Sequence, residues 1–234
     1  MSNHDDMVFY TLHLFAGGGG GIFADLLLGH QTIGAVEIEA YPRRMLLERQ
    51  LAGMLPAFPI WDDVKTFRYD NPATRPFIEY CRSIRERLII AGGFPCTNVS
   101  CAGKGEGLDG KDSGLWFEMQ RVIGEIRPKY VFVENAAALV SRGLGRILAG
   151  LTSLGYDSAW HIVSATDAIF THHVAGTGQQ VAQGRNDPAT GLVGTQGYEN
   201  DHRPVACHER KRLWIVATDH CLADPNGDRC QESS

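Results

Sequence analysis

The 234-residue chain has no run of eighteen apolar residues, no charged leader running into an apolar segment, and no CxxC pair. The first absence argues against a membrane-spanning helix and the second against secretion. The six cysteines, Cys81, Cys96, Cys101, Cys207, Cys221 and Cys230, are irregularly spaced. That is not a disulfide framework and fits reduced thiols in a cytoplasm. A metal site built from Cys207, His208, His220 and Cys221 would match no zinc spacing, so no metal is expected. Basic charge is also short. Lys and Arg number 22 against 27 Asp and Glu, a net charge of −5, which is awkward for gripping a polyanion. What positive charge there is collects at Arg142 and Arg146 and at Arg203, Arg210, Lys211 and Arg212.

With 44% apolar residues, the chain can bury one sizeable core, and a single α/β domain is expected. Strand-like runs alternate with helical patterns, the mark of a doubly wound, mostly parallel sheet. A strand at Tyr10–Leu14 leads into a helix marked by Ile22, Phe23, Leu26 and Leu27, with Gly29 as its cap. A second strand is expected from Gly34 to Ile38, and Pro42 opens a helix to about Leu51. A short third strand is expected around Ile60–Val64. The apolar run Arg87–Ala91 is a buried strand. An amphipathic helix follows over Gly114–Ile126, stopped by Pro128, then a strand at Tyr130–Val133 and a helix at Leu144–Leu154 closed by Gly155. Tyr156–Ser164 and Arg212–Thr218 read as the last two strands. Residues 171–204 hold six glycines and little apolar periodicity, which predicts a mobile inserted loop. The expected domain is thus 1–220, with 221–234 a frayed tail.

Two places carry chemistry. The strand ending at Ala91 stops on Gly92-Gly93-Phe94-Pro95-Cys96. This presents a cysteine, with Pro95 restraining the backbone before it, at the edge of the sheet where ligands bind. A thiolate is a strong nucleophile near neutral pH. Upstream, the glycine run Gly17–Gly21 follows a strand and opens a helix, so backbone can approach a ligand closely. Glu37 lies about twenty residues beyond, where an acidic residue commonly holds ribose hydroxyls.

Together with Glu134-Asn135 at the end of a strand and Arg210-Lys211-Arg212 before the last one, these segments resemble the C5-cytosine DNA methyltransferases. The similarity runs from Leu12 to Ala217. It implies a Rossmann-like seven-stranded sheet, S-adenosylmethionine as cofactor and a flipped-out cytosine in DNA as substrate. It also implies a cytoplasmic enzyme of bacterial or phage type, acting in restriction-modification. By resemblance, Phe15, Gly17, Gly19, Gly20, Glu37 and Ile38 contact the cofactor, Asp63 and Val64 meet its adenine, and Leu115 lines the pocket.

Cytosine C5 is a poor nucleophile, so the chemistry needs a temporary bond at C6. Cys96, behind Pro95, matches the thiol that makes it. Glu134 matches the group that meets charge developing on N3, and Asn135 would steady its loop. Arg210 and Arg212 match the basic pair, one reaching O2 and the other organising Glu134 or a phosphate. Ser100 would help close the catalytic loop.

The chain departs from the family at Ala136, Thr97 and His208, where valine and two glutamines are usual. More seriously, only residues 218–234 follow Ala217, where the family carries a target-recognition domain and a final helix completing the cofactor pocket. A partner chain or a missing C-terminal segment is therefore expected to supply them. The competing readings are a non-catalytic or truncated module that binds cofactor or DNA, and a tRNA cytosine methyltransferase. A nicotinamide dehydrogenase would explain the glycine turn but not Phe94-Pro95-Cys96.

Overall fold

A computed structural model describes residues 8–95, 114–164 and 211–219. Apart from Val163 and Ser164, they belong to one of two units into which the chain divides, residues 1–162 with 211–234. The strands are β1 (Tyr10–Leu14), β2 (Gln31–Val36), β3 (Ile60–Trp61), β4 (Leu88–Gly92), β5 (Tyr130–Ala136), β6 (Tyr156–Val163) and β7 (Arg212–Asp219). The helices are α1 (Gly20–Leu28), α2 (Ala40–Leu51), α3 (Arg75–Ser83), α4 (Gly114–Ile126), α5 (Leu139–Arg142) and α6 (Leu144–Ser153).

The strands form one sheet in the order β3-β2-β1-β4-β5-β7-β6. β1 pairs in parallel with β2 and β4, β2 with β3, and β4 with β5, whereas β7 runs antiparallel to β5. The chain reverses its direction of travel across the sheet between β1 and β4, and such switch points open a crevice at the strands' carboxyl ends. The ends of β1 to β5 share that edge. Because β7 runs the other way, its first residue, Arg212, reaches the same edge.

Alternate residues of a strand face opposite sides of a sheet. Leu12, Leu14, Leu88, Ile90, Val131, Val133, Leu213 and Ile215 point to one side, onto Trp116, Met119 and Ile123 of α4 and Ile147 and Leu151 of α6. On the other side Ile22 of α1 and Leu46 of α2 cover Ala35, beside Leu55 and Phe58. Their cover does not extend across β7. Phe132 lies beside Val216 and Glu134 beside Trp214, and Trp214 is 41% and Val216 37% exposed. No helix among the described residues is long and apolar enough to cross a membrane. No three His, Cys, Asp or Glu among them converge as metal ligands do.

Several expected boundaries move. β2 begins at Gln31, not Gly34, because polar Thr32 is buried with its hydroxyl donated to Asp25; Glu37 and Ile38 lie past the strand. β3 stops at Trp61. Beyond it the Asp62 carboxylate accepts the Asp63 N–H, and the Asp63 carbonyl opens a helical turn by accepting the Thr66 and Phe67 N–H groups. α1 ends on Gly29 in the left-handed region, φ 73°, as its position suggests, but Leu26 and Leu27 are exposed and Asp25 is buried. The helices α3 and α5 went unread. Pro76 in the first turn of α3 and buried Ile78 and Cys81 three residues apart were its signal. Residues 171–204 and 221–234, read as loop and tail, lie outside the described residues.

Candidate active site

One side of the candidate site is built from the ends of β1 and β2. After Leu14 the chain turns through Phe15, Gly17 and Gly19 with φ of 56°, 52° and 87°. Gly19 needs its glycine twice over: that φ is left-handed, and a β-carbon there would stand 2.8 Å from Leu46 Cδ2. The Gly17 N–H donates to Glu37 Oε2 at 2.6 Å, and the Glu39 N–H donates to Oε1 at 2.8 Å. Glu37 is 7% exposed. Its carboxylate is thus a clasp between the glycine turn and the end of β2, with lone pairs left for further donors. Arg49 donates to the Gly18 carbonyl and lies over the Phe23 ring, pinning the turn from α2.

Gly18 and Gly20 have open space where a β-carbon would stand, room for a ligand to meet backbone directly. A glycine cradle beside a buried carboxylate fits the aminoacyl and ribose parts of S-adenosylmethionine. Ile38 is exposed next to the clasp, with Arg43 on its carbonyl. Asp63 takes the Lys65 N–H at 2.9 Å. The Val64 side chain is buried in the core, and its carbonyl accepts from Arg121 at 2.8 Å. Leu115, in the first turn of α4, is half-buried against the main core.

The second side is built from β4, β5 and β7. Leu14 and Gly92 are register partners, so the two loops leave the sheet from adjacent strands, about 5 Å apart. Phe94 is buried with its ring 5.8 Å from that of Trp116. Asn135, also buried, donates from Nδ2 to the Phe94 carbonyl at 3.1 Å and accepts the Ala136 N–H at 2.8 Å. It therefore ties the end of β5 to the residue before exposed Pro95. Cys96, Ser100 and Arg210 lie outside the described residues.

Glu134 and Arg212 meet through register. Arg212 stands opposite Ala136 and Trp214 opposite Glu134, and diagonal neighbours in an antiparallel pair are within reach of long side chains. Arg212 Nε lies 2.5 Å from Glu134 Oε1. Below the other oxygen is Gly93, where a β-carbon would stand 2.7 Å from Oε2.

Gly93→Ala should therefore displace the Glu134 carboxylate while folding survives, since the atom met first ends a side chain. The expected result is a melting temperature close to wild type with strongly reduced activity. Unchanged activity would show that Glu134 can sit elsewhere at no cost.

Of the described candidates, Phe15, Gly17, Gly19, Gly20 and Glu37 gather past the ends of β1 and β2, and Pro95, Glu134, Asn135 and Arg212 at the ends of β4 and β5 and the start of β7, while Ile38 follows β2, Asp63 follows β3 and Leu115 opens α4. Val64 turns its side chain away into the core. The sequence marks Gly93 only as the end of a strand and not as the floor under Glu134; Arg121 shows locally only its Glu118 and Glu125 pairs, whereas its bonds to Val64 and Phe67 come from far along the chain.

Residues 63–170 match the family described as C-5 cytosine-specific DNA methylase. The chain is 30% identical over 153 residues to the type II methyltransferase M.Eco47II of Escherichia coli, spanning 64% of this chain and 33% of that protein. It is 29% identical over 167 residues to M.Sau96I of Staphylococcus aureus, 70% of this chain and 35% of that one. The fold is similar to the crystal structure of the S. pombe Dnmt2 methyltransferase, with a TM-score of 0.54 at 12% identity, covering 90% of this chain and 49% of that chain. The chain thus spans about a third of the length of these curated relatives.

Proposed function

Residues 63–170 match the C-5 cytosine-specific DNA methylase family, and on that premise we propose that the chain methylates C5 of a cytosine turned out of DNA. The observation that carries the proposal is the Arg212–Glu134 ion pair, one strand away from the loop that leads through Pro95 to Cys96. When bound, S-adenosylmethionine supplies the electrophilic methyl group. Gly17–Gly20 and Glu37 would hold it, with Asp63, the Val64 backbone, Ile38 and Leu115 on the adenine side.

The protein's own groups act on the base. The Cys96 thiolate forms a bond to C6, and the C5–C6 electron pair moves onto C5, with charge shared at N3 and O2. Glu134, carrying a proton, faces N3 and donates to it as that charge develops, and takes the proton back when the adduct collapses. Arg212 fixes the carboxylate's position, which leaves Arg210 for O2. After methylation the C5 proton leaves to a base, the C6–S bond breaks, and the thiolate returns.

We further propose that target recognition and a last helix come from a partner chain or a further C-terminal segment. Support for this is the apolar face at Phe132, Val216 and Trp214, which the described helices leave open, and single-sided exposure of such a face is unusual. On this proposal the added part also completes the cofactor pocket, and a small-molecule site normally buries most of its ligand.

Calorimetry on the full chain should accordingly give a Kd of roughly 10 μM or weaker for S-adenosylmethionine, and Glu37→Ala should weaken it further. Labelled methyl groups should enter DNA as 5-methylcytosine, faintly with the chain alone and strongly once the recognition part is supplied. No cofactor binding at millimolar concentration, or label on another base, would overturn the proposal.

A further inference from the structure

The face of α1 that lies on the sheet buries a carboxylate beside Ile22 where its apolar spacing predicts a continuous greasy stripe. Asp25 sits there, 5% exposed. Its carboxylate accepts from Thr11 at 3.1 Å, from Thr32 at 2.7 Å and from His13 Nε2 at 2.7 Å, with His30 Nδ1 at 3.8 Å. Burial alone would push its pKa up; the bonds from His13, Thr32 and Thr11 outweigh that and hold it below the ordinary carboxylate range. A buried ion enclosed in this way is rarely the most stable filling for a helix–sheet interface. It is better understood by what it holds.

What it holds is an imidazole at a particular height. The register partners of His13 are Ala35 on β2 and Ala91 on β4, two small residues that leave room for a ring lying on the sheet. Above it is Gly21, in the first turn of α1, where a β-carbon would stand 2.9 Å from His13 Cε1 and 3.0 Å from Nδ1. The helix is therefore in closest contact with the ring just where the glycine turn ends. Leu46 presses on Gly19 from above and Glu37 takes the Gly17 N–H from the side, so the turn is held from three directions.

We propose that His13 is a positioning residue for the cofactor turn: anchored at Nε2 by Asp25, its imidazole is the surface on which the first turn of α1 rests. It thereby sets where the backbone of Gly17–Gly20 stands relative to Glu37. The inference rests on the reading of that turn as the S-adenosylmethionine site. Removing the ring lets the turn sink, and an error of about 1 Å in a preorganised site is costly.

The test is calorimetric titration of the full chain with S-adenosylmethionine, beside its melting temperature. His13→Leu fills the space but cannot bond Asp25, and should weaken binding by about tenfold or more. His13→Gln can place an amide N–H where Nε2 stands, and should bind close to wild type. Thr32→Val removes a different bond to the same carboxylate; it should melt lower and bind as wild type. If His13→Leu does not fold, Gly21→Ala displaces the turn in the opposite sense by pressing a methyl group onto the ring, again with weaker binding expected. Wild-type affinity in His13→Leu or in Gly21→Ala overturns the inference, as does equal weakening by Thr32→Val, which would mark a merely structural cluster. Absence of binding by the wild-type chain itself would instead overturn the reading of the site.

Discussion

Cys96→Ala is expected to abolish covalent capture of DNA carrying 5-fluorocytosine and to lower methyl transfer by roughly 10⁴-fold or more, the scale on which removal of a covalent nucleophile acts. On the proposed mechanism the thiolate adds to C6 and C5 takes the methyl group. Fluorine then stands where a proton would leave, so the C6–S bond cannot be broken by elimination. A complex resistant to denaturation should accumulate when the chain, its recognition part, the cofactor and the fluorinated DNA are combined. The chain leading to the thiol is held up to Pro95: Phe94 is packed on Trp116, Asn135 holds the Phe94 carbonyl, and Pro95 restricts the backbone. Cys81→Ala is the control. That thiol belongs to the buried face of α3, and burial pushes it up to about 12, so its loss should leave trapping intact. Equal trapping by Cys96→Ala and wild type would end the assignment.

The second large effect is expected at Glu134. Glu134→Gln should slow methyl transfer by about 10²-fold or more, the usual contribution of a positioned acid or base, with cofactor affinity nearly unchanged. Arg212 makes the assignment sharper. Its Nε is 2.5 Å from the Glu134 carboxylate; if it acts through that group, Arg212→Met should cost little once Glu134 is already glutamine. A double-mutant cycle measures this directly, because residues acting as a unit are strongly non-additive. Additive losses would instead place Arg212 on a phosphate, and undiminished turnover in Glu134→Gln would remove the glutamate from the chemistry.

Much of this arrangement could be read along the chain, because it depends on neighbours in sequence. Gly29 closes α1, Pro128 follows the end of α4, and Gly155 follows α6. Each acts through its own backbone, as a left-handed cap or a missing N–H, and so marks a boundary wherever the helix is packed. The strand-ending glycines and the Phe94-Pro95 step are legible for the same reason. The alternation of strands and helices also implied the parallel sheet, since parallel strands need crossovers.

Other features depend on residues far apart. Nothing local says that β7 enters antiparallel beside β5, yet that pairing alone carries Arg212 to Glu134. The helical spacing of Ile22, Leu26 and Leu27 suggested an apolar seat for α1, whereas Ile22 shares the buried face with Asp25, and Leu26 and Leu27 are exposed. The preference of Asp25 was reversed by Thr11, His13 and Thr32, which reach it from two different strands. Local propensity thus determined where elements begin and end. Which face each element buries, and which charged groups meet, was decided by long-range pairing, because a buried charge is tolerated only where partners converge on it.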